Sequence, residues 1–249
     1  MSIIQTAHLY HRFSDGTQGL DDVCLAFEEG EFTVIAGANG SGKTTLLRHF
    51  NGLLFPESGL VSVCGESVKK NPTAARQQVG MVFQDADSQI IGETVYDDAA
   101  FGPENLLLDR PQIHARVTRA LADVNLTGYE DKSPHQLSGG EKRRLAIAGV
   151  LAMAPRVLVM DEPFSNLDYP ATRMVLDQIL NFHKQGHTII ITTHDLEKVI
   201  AHAQRLVVME NGRVVEDGIP EKVIGGIERY GVRPPCSIQL GRGILPWEN

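Results

Sequence analysis

A glycine-rich run near the amino terminus carries the clearest chemistry in the sequence. Gly37-Ala38-Asn39-Gly40-Ser41-Gly42-Lys43-Thr44 fits the phosphate-binding-loop pattern G-x-x-x-x-G-K-[ST]. Glycines let main-chain N–H groups turn inward around phosphate oxygens, and the following helix N-terminus adds partial positive charge. We expect Lys43 to reach the β- and γ-phosphates and Thr44 to place its hydroxyl on Mg²⁺, with Thr45 completing the binding set. A glycine-rich turn with a surface lysine is the plainer alternative.

A second group of reactive side chains follows an apolar run at residues 157–160. Asp161 and Glu162 come directly after it. The carboxyl edge of a parallel sheet is where ligands bind in open α/β folds. There Asp161 is expected to hold Mg²⁺ through water, and Glu162 to orient and deprotonate an attacking water. Solvated acidic strand ends are common, but the upstream P-loop favours the catalytic interpretation.

A third feature is a serine–glycine–glycine turn that opens a helical pattern. Ser138 and Glu141 fit a capping box, which is a sufficient structural reason for both. It leaves Gly139 and Gly140 unexplained, since each glycine in a helix costs up to about 1 kcal/mol relative to alanine. Bare backbone at a helix N-terminus suits a phosphate. Because the P-loop already fills that role in this chain, we expect the turn to serve another subunit's nucleotide.

The elements that must position these residues read as an α/β fold. Short apolar strands alternate with helical patterns, which predicts a largely parallel sheet. The amino-terminal third has hairpin character and predicts a smaller antiparallel sheet. The expected sheet strands lie at residues 32–36, 80–83, 157–160, 188–192 and 206–209, with a helix at 44–51.

No strand pattern occurs between about residues 90 and 150, so an α-helical subdomain at about 88–150 is expected inside a core domain of residues 1–225. Residues 226–249 lack periodicity and are expected to form a short, loosely packed tail. One apolar face within the helical subdomain comprises Ile113, Val117, Leu121 and Val124.

Composition limits the class of protein. The formal net charge is −8 and the pI is about 5.6, which disfavours non-specific attraction to nucleic acid. No apolar run approaches the roughly 18 residues that a membrane span needs, so a membrane role would require a protein partner. The chain has 3 cysteines, spread far apart, which indicates reduced cytosolic thiols and not a disulfide framework or zinc site.

Together, the P-loop, the LSGGE turn and the MDEP strand resemble the ATP-binding-cassette ATPases over residues 1–225, in the expected order. The resemblance implies ATP as substrate with Mg²⁺. It also implies that Gln84 is the Q-loop residue that links metal and water to a membrane partner. Residues 165–168 match the D-loop, and His194 matches the histidine that contacts the γ-phosphate. Phe13 stands where the family has an aromatic residue that stacks on adenine, with a core role for Phe13 or a stacking role for Tyr10 as alternatives.

The segments VFQDADSQIIGETVYDDAAFGPENL and SPHQLSGGEKRRLAIAGVLAMAP are similar to the ATPases of energy-coupling-factor importers. This similarity implies integral membrane partners, a peripheral place on the cytoplasmic face of the membrane, and a vitamin or a cobalt or nickel ion as cargo. The run DEPFSNLDYP departs from the pattern common in that branch. A head-to-tail dimer with a second copy, or with a paralogous ATPase, is expected because the catalytic residues are all present. The alternatives are a soluble cassette ATPase acting on nucleic acid, for which basic patches are lacking, and a small-molecule kinase, which leaves LSGGE unexplained.

Overall fold

The computed structural model describes residues 2–247. Its strands and helices alternate through most of the chain, as the sequence predicts. In chain order the elements are β1 (Ser2–Arg12), β2 (Gln18–Glu28), β3 (Phe32–Ala36), α1 (Lys43–Phe50), β4 (Ser58–Val63), β5 (Glu66–Ser67), α2 (Pro72–Gln78), β6 (Val79–Val82), α3 (Val95–Asn105), α4 (Arg110–Asp123), α5 (Gly139–Ala152), β7 (Val157–Asp161), α6 (Tyr169–Lys184), β8 (Thr188–Thr193), β9 (Arg205–Glu210), β10 (Arg213–Gly218), α7 (Pro220–Val223) and α8 (Cys236–Gln239), with 3-10 turns at Pro134–Gln136, Ile200–His202 and Ile227–Tyr230.

The larger sheet has the strand order β10-β9-β3-β8-β7-β6. All neighbouring pairs are parallel except β10 with β9. Strands β3, β7 and β8 are buried along their whole length, which explains their near-continuous apolar sequences. Ala36 pairs with Thr193 and Asp161 pairs with Thr192, so the carboxyl ends of these three strands meet at one edge.

The smaller sheet is antiparallel, with the order β2-β1-β4-β5. Its inner face and one face of the larger sheet enclose α1, which buries Leu46, Leu47 and Phe50 between them. This confirms the predicted α/β core with an antiparallel amino-terminal sheet. Helix α1 therefore starts at the edge where the three parallel strands end.

Helices α3, α4 and α5 form the inserted helical part. The four residues predicted to form one apolar face, Ile113, Val117, Leu121 and Val124, are all buried in the main core. The first three lie in α4, and Val124 directly follows it. The Asp109 side chain caps α4 through a capping box with Gln112, which fixes where that helix starts. The boundaries proposed for the helical subdomain, 88–150, and for the core domain, 1–225, stay predictions. None of the helices that the structure describes is long and apolar enough to cross a bilayer.

The tail packs on the core more closely than expected over part of its length, although α8 has no buried residue. Ile227 and Val232 are buried in the main core, and Trp247 packs on Tyr169 with ring centroids 5.0 Å apart. Short turns place these apolar residues without a regular period, so the sequence pattern misses them. Residues 248 and 249 lie outside the described range.

Candidate active site

The P-loop connects β3 to α1 and wraps closely around its own lysine. Gly42 caps α1 in the left-handed conformation with φ 102°, which only glycine adopts readily. A Cβ at Gly37 would lie 2.4 Å from the Met209 carbonyl oxygen, so no side chain fits there. The Lys43 ammonium donates to the carbonyls of Gly37 at 2.7 Å and Ala38 at 3.0 Å. The loop is therefore held in a closed curve by residues of its own.

Burial lowers the pKa of Lys43, while the nearby charges of Glu162 and Asp161 act in the opposite direction. The side chain is 6% exposed. The ammonium ion of Lys43 is poorly solvated and bonded to neutral carbonyls. A phosphate oxygen would therefore form a stronger, charge-assisted hydrogen bond with it.

Asp161 lies buried at the end of β7, with both carboxylate oxygens bonded. The Thr44 hydroxyl donates to Oδ2 at 2.7 Å, and the Thr192 hydroxyl donates to Oδ1 at 2.5 Å. These bonds join the first turn of α1 to β7 and β8. Thr192 was not singled out by sequence reasoning; its place at the end of the neighbouring parallel strand was the available signal.

Glu162 adopts the left-handed conformation, with φ 48°. Such backbone is costly for a residue with a side chain and is maintained only when its surroundings enforce it. Here the Glu162 N–H donates to the Thr192 carbonyl at 3.1 Å. The Glu162 carboxylate lies 2.8 Å from His194 Nδ1, and its side chain is 10% exposed against 56% for the histidine.

A cavity of about 470 Å³ lies over these groups, within the range of small-ligand sites. Gly37 and Ala38 do not line the cavity, but their carbonyls bind Lys43, which does. His194 is likewise outside the lining and contacts Glu162, which is part of it. The predicted site residues that line it are Phe13, Asn39, Gly40, Ser41, Gly42, Lys43, Thr44, Thr45, Gln84, Asp161 and Glu162.

Phe13 forms one wall of this cavity. It is 38% exposed, and its ring lies edge-on to His11 with centroids 4.8 Å apart. Gly19 leaves room for the ring, because a Cβ there would approach Phe13 Cε2 to 2.8 Å. Tyr10 does not line the cavity. Of the two aromatic residues considered, the geometry favours Phe13 for stacking on a planar base.

The serine–glycine–glycine turn lies elsewhere on the chain. The Ser138 hydroxyl accepts the Glu141 N–H at 3.3 Å, and the Glu141 carboxylate accepts the Ser138 N–H at 2.8 Å, as predicted for a capping box. A Cβ at Gly140 would lie 2.8 Å from the Ala171 Cβ, whereas a Cβ at Gly139 would meet nothing within 4 Å. Close packing on α6 therefore explains Gly140, and Gly139 alone is left facing open space.

A separate hollow of about 360 Å³ surrounds this turn, between α5 and the start of α6. It shares no lining residue with the P-loop cavity. Ser138, Gly139 and Gly140 are thus not brought to the P-loop within one chain. Residues 166–168 of the predicted D-loop line the same hollow.

Arg143 is a site-adjacent residue that sequence reasoning missed. It projects from α5, is 4% exposed, and donates to the carbonyls of Phe83 and Gln84, at 2.5 Å for Gln84. Burial lowers its pKa, against the charges of Asp85 and Asp161. The available signal was helical spacing, since Arg143 lies four residues before Ile147 on the buried face of α5.

Comparisons with known proteins agree with this geometry. Residues 20–165 match the family model described as ABC transporter. An ABC transporter ATP-binding protein of Halobacterium salinarum is 48% identical over 233 residues, which cover 94% of this chain and 100% of that protein. The energy-coupling factor transporter ATP-binding protein EcfA of Methanocaldococcus jannaschii is 42% identical over 231 residues, covering 92% of this chain and 83% of that protein.

Among solved structures, the cbiO1 protein of Clostridium perfringens superposes with a TM-score of 0.82 and 37% sequence identity. The match covers 96% of this chain and 98% of that one, and the protein is described as part of the ABC transporter complex cbiONQ. The P-loop site and these relatives lead to one conclusion: the chain belongs to the ATP-hydrolysing subunits of ABC transporters, in the group of energy-coupling-factor ATP-binding proteins.

Proposed function

We propose that this ATPase powers an energy-coupling-factor importer that takes up a vitamin or a transition-metal ion, such as biotin, cobalt or nickel, through membrane partner proteins. The observation that carries the proposal is one P-loop cavity holding Lys43, Asp161 and Glu162 together, with His194 on Glu162. The names of the relatives support transport as the process that hydrolysis drives. On this proposal the chain works at the cytoplasmic face of the membrane as a peripheral subunit.

In the proposed mechanism, the P-loop amides and Lys43 bind the β- and γ-phosphates while Phe13 stacks on the adenine. Glu162 holds the attacking water and accepts its proton as the oxygen attacks the γ-phosphorus. The bond between the γ-phosphorus and the β–γ bridging oxygen breaks, so phosphate leaves and ADP, which keeps that oxygen, remains on the P-loop. His194 orients the Glu162 carboxylate through the 2.8 Å contact between them and reaches toward the γ-phosphate.

Mg²⁺ fits the oxygen groups at the cavity wall. The Thr44 hydroxyl and the Asp161 carboxylate lie 2.7 Å apart, and Gln84 adds an amide oxygen on the same lining. Hard oxygen donors with room for water are what Mg²⁺ requires. Thr44, Asp161 and Gln84 would hold the ion, which would supply positive charge to the phosphate oxygens when ATP is bound.

The second half of each active site is proposed to come from a second copy of the chain. Gly139 presents bare backbone into a hollow that the chain's own P-loop does not reach. Two copies arranged head to tail would place each Ser138–Gly140 turn against the other's nucleotide. A paralogous ATPase with the same turn would serve as well, and mixing experiments distinguish the two.

An apolar groove is the proposed contact for the membrane partner. A hollow of about 320 Å³ lies where the larger sheet meets α3 and α5, lined in part by Leu53, Phe83, Ile91, Phe101 and Met153. Ile91 is 61% exposed and Phe101 is 50% exposed, which is unusual for adjacent large apolar side chains. Both belong to the segment between Gln84 and Leu106 that resembles the coupling surface of these importers.

The test is co-purification of the chain with its integral membrane partners. Ile91→Lys and Phe101→Asp should reduce the yield of the membrane complex severalfold, while basal ATP hydrolysis by the free subunit stays at the wild-type level. Leu60→Asp is the matched control, because Leu60 is 49% exposed but lies on the antiparallel sheet. Asp87 is a poor test position, since it pairs with Lys142 at 2.5 Å within the chain. Recovery of the chain without any membrane protein would contradict the proposal.

A further inference from the structure

Three metal-ligating side chains meet on the antiparallel sheet, outside the P-loop cavity. His8 comes from β1, and Asp22 and Cys24 come from β2. One potential ligand atom from each lies within 4.8 Å of the others. His8 Nδ1 is 2.8 Å from Asp22 Oδ1 and 3.9 Å from Cys24 Sγ. None of the three residues lines the nucleotide cavity.

The backbone is irregular at this point of the sheet. The β1–β2 register shifts between Thr6 and Leu9, and the β1–β4 register shifts between Ala7 and Tyr10. His8 therefore lies in a bulge, a feature that redirects a side chain. His8 and Asp22 both adopt the left-handed conformation, with φ 47° and 54°. The left-handed backbone of these two residues costs conformational free energy, which the surrounding sheet must offset. Their side chains face one another as a result.

A glycine on the neighbouring strand makes room for the bulge. Gly59 has φ 89°, and a Cβ there would lie 2.0 Å from the His8 carbonyl oxygen. The His8 main-chain N–H also donates to Cys24 Sγ at 3.1 Å. The sulfur of Cys24 therefore lies beside the backbone of the bulge as well as near the His8 ring. The adjacent Asp21 is engaged by Arg213 at 2.5 Å, leaving Asp22 as the carboxylate that faces His8.

The spacing of the cysteines argues against a zinc site built from several of them, but a site with one cysteine needs no such spacing. We propose that His8, Asp22 and Cys24 form a binding site for a divalent transition metal of the zinc and cobalt class, with water as the fourth ligand. A tetrahedral ion bonded to nitrogen, oxygen and sulfur places its ligand atoms roughly 3.3–3.7 Å apart. The two distances from His8 Nδ1 bracket that range, so small side-chain rotations complete the geometry. The thiolate and the imidazole favour zinc or cobalt over magnesium.

Such an ion would join β1 to β2 in the hairpin whose turn region carries Phe13. The alternative interpretation is a surface pair of His8 and Asp22 beside an unrelated cysteine. Such a pair would contribute little to the free energy of unfolding. The two interpretations predict different behaviour of Cys24. Only a bound metal ion would slow alkylation of its sulfur and produce a metal–thiolate absorption band.

The first test titrates Co²⁺ into the full chain, tag-free, reduced, metal-stripped and without nucleotide. One Co²⁺ per chain should bind with a thiolate-to-cobalt charge-transfer band in the near ultraviolet. Cys24→Ser should abolish the band, and His8→Asn should weaken binding about tenfold or more. Asparagine tolerates the left-handed backbone, so His8→Asn keeps the fold. Cys64→Ser, at another exposed cysteine, is the control and should bind as wild type.

The second test uses the unmutated chain, with two of its cysteines as internal controls. Cys24, Cys64 and Cys236 are all exposed and free. Zn²⁺ should slow alkylation of Cys24 about tenfold or more, read by peptide mass spectrometry, and leave Cys64 and Cys236 at their metal-free rates. Equal rates at Cys24 with and without Zn²⁺, equal protection of all three, or a charge-transfer band that survives Cys24→Ser would each overturn the proposal.

Discussion

The P-loop cavity and the serine–glycine–glycine turn are both suited to phosphate, yet they are built in different ways. At the P-loop, Lys43, Asp161 and Glu162 each have a partner inside the chain. At the turn, the capping box satisfies Ser138 and Glu141, and Gly139 faces open space. One region is organised before any ligand arrives. The other presents the backbone of Gly139, which meets nothing among residues 2–247.

On the proposed function, ATP is hydrolysed at the P-loop cavity, and the turn of a second chain controls the rate. Preorganised groups stabilise charge that develops during reaction, because little reorganisation is required at that moment. A bare turn adds nothing until a second surface brings a nucleotide to it. Hydrolysis is therefore expected to depend on assembly. The first three substitutions below each affect one of the two regions and not the other.

The largest effect is expected from Glu162→Gln. The amide keeps the size of the side chain but accepts no proton, so kcat should fall by about 10²–10⁴ while ATP binding remains. Single-turnover hydrolysis and equilibrium binding of labelled ATP measure the two quantities separately. Turnover near the wild-type rate would show that Glu162 is not the base.

Lys43→Ala removes a charge-assisted phosphate contact from the same region. A hydrogen bond to a charged group contributes about 1.5–3 kcal/mol, so ATP affinity should fall roughly 10- to 150-fold. Isothermal titration with Mg-ATP measures it. Unchanged affinity would remove Lys43 from the binding set.

Gly139→Asp affects the other region. Since a Cβ there meets nothing within 4 Å, the melting temperature and the ATP affinity of the free chain should be unchanged. Hydrolysis should drop at least about tenfold, because a carboxylate would face the second nucleotide's phosphates. Gly140→Val is the contrasting variant and should lower the melting temperature, since its side chain meets Ala171. Wild-type turnover by Gly139→Asp would show that the turn does not contact nucleotide.

Arg143→Met tests the connection between the two regions. The substitution leaves the carbonyls of Phe83 and Gln84 without their donor, at a cost of about 1–3 kcal/mol in the free energy of unfolding. If Arg143 positions the Q-loop, kcat should also fall, with KM for ATP little changed. Chemical denaturation and steady-state kinetics measure the two effects. Arg143→Lys should recover part of kcat, and a loss of stability alone would make the residue purely structural.

The smallest expected effect is on the pH dependence of stability, through His49 in α1. Burial lowers the pKa of His49, whose Nδ1 lies 2.8 Å from the Thr45 carbonyl oxygen. The unfolded chain, with its ordinary histidine pKa of about 6.5, binds more protons below that pH. The stability of the folded state should therefore fall as pH drops below about 6.5 toward the lowered folded pKa. His49→Gln should flatten that fall in denaturation curves, with His187→Gln as the comparison, because burial lowers the pKa of His187 too.

Much of the P-loop region could be predicted from sequence because its chemistry is local. The strand, loop and helix are consecutive, and the acidic pair follows an uninterrupted apolar strand. The place of His194 at the site was inferred only from family resemblance, and its contact with Glu162 was not predicted, since 32 positions separate the two residues. Parallel pairing of β7 with β8 is what brings them together.

The remaining features depend on contacts between distant segments. The sequence indicated that Gly140 needed a reason, but not that Ala171 supplies it. Arg143 could be assigned to the buried helix face, whereas its bonds to residues 83 and 84 depend on how α5 crosses the sheet. The contacts of the tail were missed for the same reason, because Trp247 belongs to no helical or strand pattern and meets Tyr169 only in three dimensions.

The central claim, that two chains share each active site, is tested most directly by mixing two inactive variants. Glu162→Gln keeps the turn and loses the base of its own P-loop cavity, and Gly139→Asp keeps the base and loses the turn. A mixed pair then contains one site with both halves intact. We predict that an equal mixture recovers about a quarter of the wild-type ATPase rate, since half of randomly formed dimers are mixed and one of their two sites is whole. A mixture as inactive as its components would contradict a site shared between two copies of this chain.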